Sequence, residues 1–280
     1  MTILRRFLAA LSGTGLVVGL AANGVSQDAQ PAAGATAERP PLTNGFEVRL
    51  DAVATNEEIF RQPNLWVMEV TFKSMRMRWV RLKDPKTGKT KRELIWYLVY
   101  KAVNRPLDRR TPKVDTKPRN IEDTPPRLLF VPELTLVGTD GGARKIYPDV
   151  IIPAAQADIL KRESRYAHQP VLKNTVEITG EIPAATPENA AKENAVYGVA
   201  MWRGVDPETD FFTVYMSGFS NGYRKQGGLV YRKVIVQKFQ RPGDRFFQTE
   251  AEIKRDGDAK WIEWPSDTPA KTAPPLPAKR

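Results

Sequence analysis

Glu93–Val103 reads ELIWYLVYKAV. Bulky apolar side chains occupy successive positions, so neither face of an extended chain here would be polar. A strand with one face in water would alternate instead. The stretch therefore predicts a central strand between two packed layers. Upstream, Leu65–Phe72 (LWVMEVTF) does alternate, with Trp66, Met68, Val70 and Phe72 on the face expected to be core. Met75–Leu82 continues that run and Phe46–Ala54 alternates before it. Downstream, strands are expected over Leu128–Val137, Lys145–Ile152, Asn174–Glu181, Tyr197–Arg203, Phe211–Phe219, Leu229–Phe239 and Phe246–Lys254.

Turn residues separate these runs. Asp84-Pro85-Lys86-Thr87-Gly88 signals a tight hairpin, and Asp140-Gly141-Gly142 and Asn221-Gly222 signal others. Two short helices are predicted. Pro153–Glu163 places Pro at its first helical position, and Pro187–Asn194 has Thr186 as its N-cap. Many strands, few helices and turn-rich connections predict an all-β fold, an immunoglobulin-like β-sandwich with long insertions.

Residues 1–26 carry the marks of a secretory signal peptide. Arg5 and Arg6 form a basic start, an apolar uncharged run spans Phe7–Ala22, and small residues follow. That run is shorter than the ~20 apolar residues a membrane span needs, so no transmembrane span is expected once the leader is cleaved. The chain is therefore expected to be secreted or periplasmic. Residues 27–44 read as a disordered Ala/Pro-rich linker and residues 265–280 as a disordered Pro-rich tail. The β-sandwich domain is expected over 45–264, with a split near 165–172 as the alternative.

The chain has 43 Lys and Arg against 32 Asp and Glu, no Cys and one His. Losing Arg5 and Arg6 with the leader removes no acid and lowers the formal charge from +11 to +9. A basic exported protein favours anionic neighbours, so the expected partner is an anionic envelope polymer or a protein. Without Cys and with only His168, neither a disulfide nor a zinc site is expected. No cofactor motif is present. Gly88-Lys89-Thr90 has Lys83 where a phosphate-binding loop needs Gly, and it lies in a hairpin rather than before a helix.

Positive charge is concentrated in residues 73–92, where Lys73, Arg76, Arg78, Arg81, Lys83, Lys86, Lys89, Lys91 and Arg92 face one acid, Asp84. Alternation puts Arg76 and Arg78 on one strand face and Met75, Met77 and Trp79 on the other. Charged residues on an exposed strand also deter edge-to-edge pairing, which is the competing explanation. The Pro-rich segment 104–127 carries Arg109 and Arg110 and is longer than an ordinary hairpin loop. Arg76, Arg78, Arg81, Lys83, Arg109 and Arg110 are therefore the candidate residues for an anion or a partner. Asp206, Glu208 and Asp210 sit at alternate positions of a turn and are the only grouping that suggests carboxylate chemistry. Tryptophans in strands are more often core than sugar platforms, with Trp261 and Trp264 the best exceptions.

Gly198–Gly222 (GVAMWRGVDPETDFFTVYMSGFSNG), followed by Phe239-Gln240-Arg241-Pro242-Gly243-Asp244, resembles a family of uncharacterised exported bacterial proteins of the planctomycete type. Tyr147-Pro148-Asp149, Ile152-Pro153-Ala154 and Lys161-Arg162-Glu163 are similar to the same family. The resemblance implies export and brings no activity. A looser similarity is to immunoglobulin-like exported modules, in which a strand ending in Asn, here Tyr100–Asn104, precedes a strand followed by a Gly turn and Tyr, here Leu134–Tyr147. The expected function is a non-catalytic binding or structural module of the cell envelope. The alternative is a carboxylate-dependent extracytoplasmic hydrolase acting through Asp206, Glu208 and Asp210.

Overall fold

A computed structural model describes residues 45–84, 86–107, 129–140, 144–163, 171–243, 246 and 248–266. The first half runs β1 (Phe46–Leu50), α1 (Asn56–Arg61), β2 (Met68–Lys73), β3 (Arg76–Lys83), β4 (Thr90–Asn104), β5 (Leu129–Phe130), β6 (Glu133–Gly138) and β7 (Lys145–Pro148). Next come α2 (Pro153–Glu163), α3 (Thr175–Ile178), β8 (Gly180–Glu181), β9 (Ala195–Arg203) and β10 (Phe211–Ser217). The chain closes with β11 (Tyr223–Gln226), β12 (Leu229–Gln240), β13 (Lys254–Arg255) and β14 (Lys260–Pro265).

β4 organises the first sheet. On one side it pairs with β2 through Tyr100–Asn104 and with β3 through Thr90–Tyr97, and on the other with β9 through Ile95–Val103. β2 and β3 thus lie end to end along β4, broken at Ser74–Met75, and β1 pairs with β2. In the second sheet β12 is the long strand. β10 and β11 lie along one side of it and β13 and β14 along the other, while β6 and β7 follow beyond β10. All of these pairings are antiparallel, so the fold is an all-β sandwich. Strands from both sides of residues 165–172 take part in each sheet.

The sandwich core joins the inner faces of the two sheets. Met68, Val70, Phe72, Trp96, Leu98 and Tyr100 from the first meet Leu134, Leu136, Phe212, Val214, Ile235 and Phe239 from the second. The Trp96 and Phe212 rings meet edge to face at 5.1 Å, and Phe212 stacks on Phe239 at 5.1 Å. The opposite face of β4, with Ile95, Tyr97 and Val99, is covered by Ala155 and Ile159 of α2. This second cluster is why ELIWYLVYKAV is apolar on both sides. Burying a side chain the size of Ile159 contributes roughly 1.5–3 kcal/mol.

Local chemistry explains where the elements differ from expectation. α2 spans the predicted residues. Asn174–Glu181 was expected as a strand but opens with α3, because the Asn174 side chain accepts from Val176 and Glu177 N–H while Glu177 accepts from Asn174 N–H. That reciprocal cap outweighs the β-branched content of Thr175-Val176-Glu177-Ile178. Thr55 and Glu58 form the same box and start the unexpected α1. Pro187–Asn194 is not a helix. Thr186 Oγ1 accepts from Asn194 N–H, eight residues on, and closes a turn-rich loop instead of capping a first turn.

Phe246–Lys254 was expected as a strand, but a 3₁₀ turn at Glu250–Glu252 occupies part of it and only β13 extends. Asn221-Gly222 is not a hairpin tip. Asn221 is buried, accepts from Trp66 N–H and donates to Asn64 O. The tight turn lies instead at Gly227-Gly228, where both φ angles are positive (59° and 78°), as a two-residue hairpin demands. The expected signal peptide, the linker, most of the tail, His168 and residues 108–128 lie outside the described residues.

Candidate anion-binding arm

The β3–β4 hairpin reaches past the rest of its sheet. β9 begins to pair with β4 at Ile95, so Thr90–Leu94 has β3 as its strand partner on one side alone. The Asp84 turn fixes the register of this arm. Asp84 accepts from Lys86 N–H (2.8 Å) and from the Thr87 hydroxyl (2.8 Å), and Gly88 supplies the positive φ of 69°. These bonds, the Lys86 amide first, hold the Asp84 carboxyl below its ordinary pKa. The one acid of the arm's tip is therefore engaged by its own turn.

The register places Trp79 opposite Leu94, Arg81 opposite Arg92 and Lys83 opposite Thr90. Trp79 continues the face of Met75 and Met77, as the alternation predicts, yet it is 47% exposed. At this distance along the arm the facing sheet no longer covers it. The Arg92 guanidinium lies over its ring at 4.9 Å, a cation–π contact. Arg81, Lys83, Lys86, Lys89, Lys91 and Arg92 are all exposed. Among the described residues none of these six pairs with a carboxylate. Arg81 directly across from Arg92 is a like-charge pair, which costs roughly 0.2–1 kcal/mol in a sheet.

The sequence candidates divide accordingly. Arg76 and Arg78 face α2, where its acids meet them. Arg78 donates to Asp158 at 2.5 and 3.2 Å, and Arg76 to Glu163 at 2.8 Å. The bond with Arg78 holds Asp158 below the usual carboxylate range. Glu163 is buried and also accepts from Lys73 Nζ (2.8 Å) and the Tyr97 hydroxyl (3.0 Å). Thus Lys73, Arg76 and Arg78 fasten the helix to the sheet. Arg81 and Lys83 lie on the open arm. Arg109 and Arg110 lie outside the described residues.

Arg92 belongs to the basic stretch and Trp79 to the face opposite Arg76 and Arg78, but neither is among the six candidate residues drawn from the sequence. The signal that could have found them is the turn at Asp84–Gly88. Once that turn is fixed, counting back along the two strands puts Arg92 opposite Arg81 and beside Trp79.

The acidic turn is held in place from outside. Asp206 pairs with Lys145 and accepts from Glu208 N–H, and the Asp210 carboxylate lies 3.9 Å from Arg241. Arg241 is fully buried and donates to the carbonyls of Thr209 and Pro207. Among the described residues no three Asp, Glu, His or Cys side chains gather to hold a metal ion. No helix among them is long and apolar enough to cross a membrane. No family model, curated protein or solved structure matches this chain.

Proposed function

We propose that this chain is an exported, non-catalytic binding module of the cell envelope, and that it holds an anionic polymer on the β3–β4 arm. The supporting observation is that six exposed cations of the arm have no carboxylate partner among the described residues, whereas the neighbouring Lys73, Arg76 and Arg78 are paired with acids. Protection of a sheet edge would account for the cations. It would not call for an exposed Trp79 under Arg92, nor for two arginines directly opposite one another, an arrangement that bound anionic groups relieve. The basic leader followed by an apolar, uncharged run supports export.

The test is retention of the mature chain on immobilised dextran sulfate over a range of NaCl concentrations. Reversing Arg81, Lys83 and Arg92 to Glu should weaken binding at least tenfold at low salt. It should also lower the slope of log K against log [NaCl] by about two, at about 0.7 per charge for a flexible polyanion. Reversing three exposed cations elsewhere, Lys192, Lys254 and Arg255, is the control for net charge. Equal loss in both variants, or no loss in the first, overturns the reading.

A further inference from the structure

The pairing pattern of the arm sets its side-chain spacing. At the base of β3 the Met77 N–H donates to Glu250 Oε2 and the Met77 carbonyl accepts from Arg162, both at 3.4 Å. Met77 therefore turns its backbone groups away from β4, and in an unbroken register Trp79, Arg81 and Lys83 do the same. Such residues and those facing them form the non-hydrogen-bonded pairs of an antiparallel ladder. Their Cα atoms come within about 4.5 Å and their side chains lie closest. Arg81 and Arg92 are one of these pairs. The sheet thus sets two exposed arginines on one face at its shortest cross-strand spacing.

The neighbouring groups leave that pair for a ligand. Trp79 lies on the same face, and the Arg92 guanidinium rests over its ring at 4.9 Å, which limits where that fork can point. Lys83 follows Arg81 on this face, across from Thr90. Lys91 and Glu93 belong to the opposite face, and Glu93 accepts from Arg203 of β9 at 2.5 and 2.7 Å. Asp84 is engaged by its own turn. Among the described residues no acid answers Arg81 and Arg92.

We infer that Arg81 and Arg92 clasp a phosphate monoester between them, so that the polymer held by the arm is a phosphorylated one. This rests on the reading of the arm as a polyanion site and names the anionic group it selects. Near neutral pH a phosphate monoester carries a charge of about −1.5 to −2 on three strong acceptor oxygens. One such group balances both arginines and gives each fork oxygens to bind. A sulfate ester has the oxygens but a single charge. A carboxylate has a single charge and two oxygens, which one bidentate fork occupies. A phosphodiester, as in a nucleic acid, also carries a single charge. Two monoanions, one on each arginine, would repel one another at the same short spacing.

The test is retention of the mature chain on phosphorylated dextran and on dextran sulfate, matched in anionic groups per sugar. At about pH 7.5 the phosphorylated polymer should bind at least tenfold more tightly. At about pH 5 its esters are mostly singly charged, because their second pKa is about 6, and the preference should fall to within threefold. Dextran sulfate keeps its charge over that range and controls for titration of the protein. Arg81→Lys and Arg92→Lys keep the charge but remove a fork, and each should bring the neutral-pH preference to within threefold. The reversal of Lys192, Lys254 and Arg255 should leave the preference as it is. Retention on dextran sulfate with no preference for phosphate overturns this inference alone. So does a preference that survives both lysine variants, or tighter binding of oligothymidylate than of phosphorylated dextran. Absence of retention on both polymers overturns the reading of the arm with it.

Discussion

Glu163 is where the helix, the sheet and the basic stretch meet. Burial alone would raise its pKa, but the hydrogen bond from Lys73 and the charges of Arg76 and Lys73 outweigh it, and the group is held below its ordinary value of 4.5. The stability it contributes is fully present above the unfolded-state pKa and is lost as pH falls through the lower folded value. Urea unfolding midpoints should therefore hold near neutral pH and drop below about pH 4. Glu163→Gln should cost about 3–5 kcal/mol at pH 7, because it leaves Lys73 and Arg76 without their anion, and it should flatten the acid limb. An unchanged acid limb in that variant would overturn the assignment. The sequence shows Glu163 at the end of a helix and Arg76 on a strand, but 87 positions separate them. Only the docking of α2 on β4 tells that the two meet, so the division of the candidate arginines was not legible.

At the scale of elements, the seam between β4 and β9 depends on Gly198. It lies directly across from Tyr100, whose buried ring would come within 2.2 Å of any Cβ built there. Gly198→Ala should cost about 1–3 kcal/mol in thermal unfolding, as overpacking does. Combined with Tyr100→Leu, it should cost clearly less than the two losses added, the mark of residues in contact. A strictly additive pair would show that the ring had already moved aside. Elements were legible where a pattern ran long enough or a start signal stood clear: β2 and β3 follow from alternation, β4 from its unbroken apolar run and α2 from the proline that opens it. They were not where a few side-chain bonds decide. Four residues of α3 carry no period, and Asn174 and Glu177 settle them. β14 was missed because Trp261-Ile262-Glu263-Trp264 is short and runs into Pro265, although Trp264 was singled out.

At the scale of the molecule, positive charge was visible in composition but its geometry was not. The same run of residues supplies cations to a helix dock at one end and to an open arm at the other, and the switch falls where β9 stops. β4 imposes this order, since three other strands are hydrogen-bonded to it and two packed layers lie over its faces. The consequence is a gradient of amide exchange along a single strand. Releasing the amides between Ile95 and Val103 requires parting the sheet on both sides of them, so deuterium should enter there last, at the rate of global opening. The amides of Thr90–Leu94, with one neighbouring strand, should exchange far sooner. Uniform protection along β4 would mean that the arm is clamped by something other than its own hairpin.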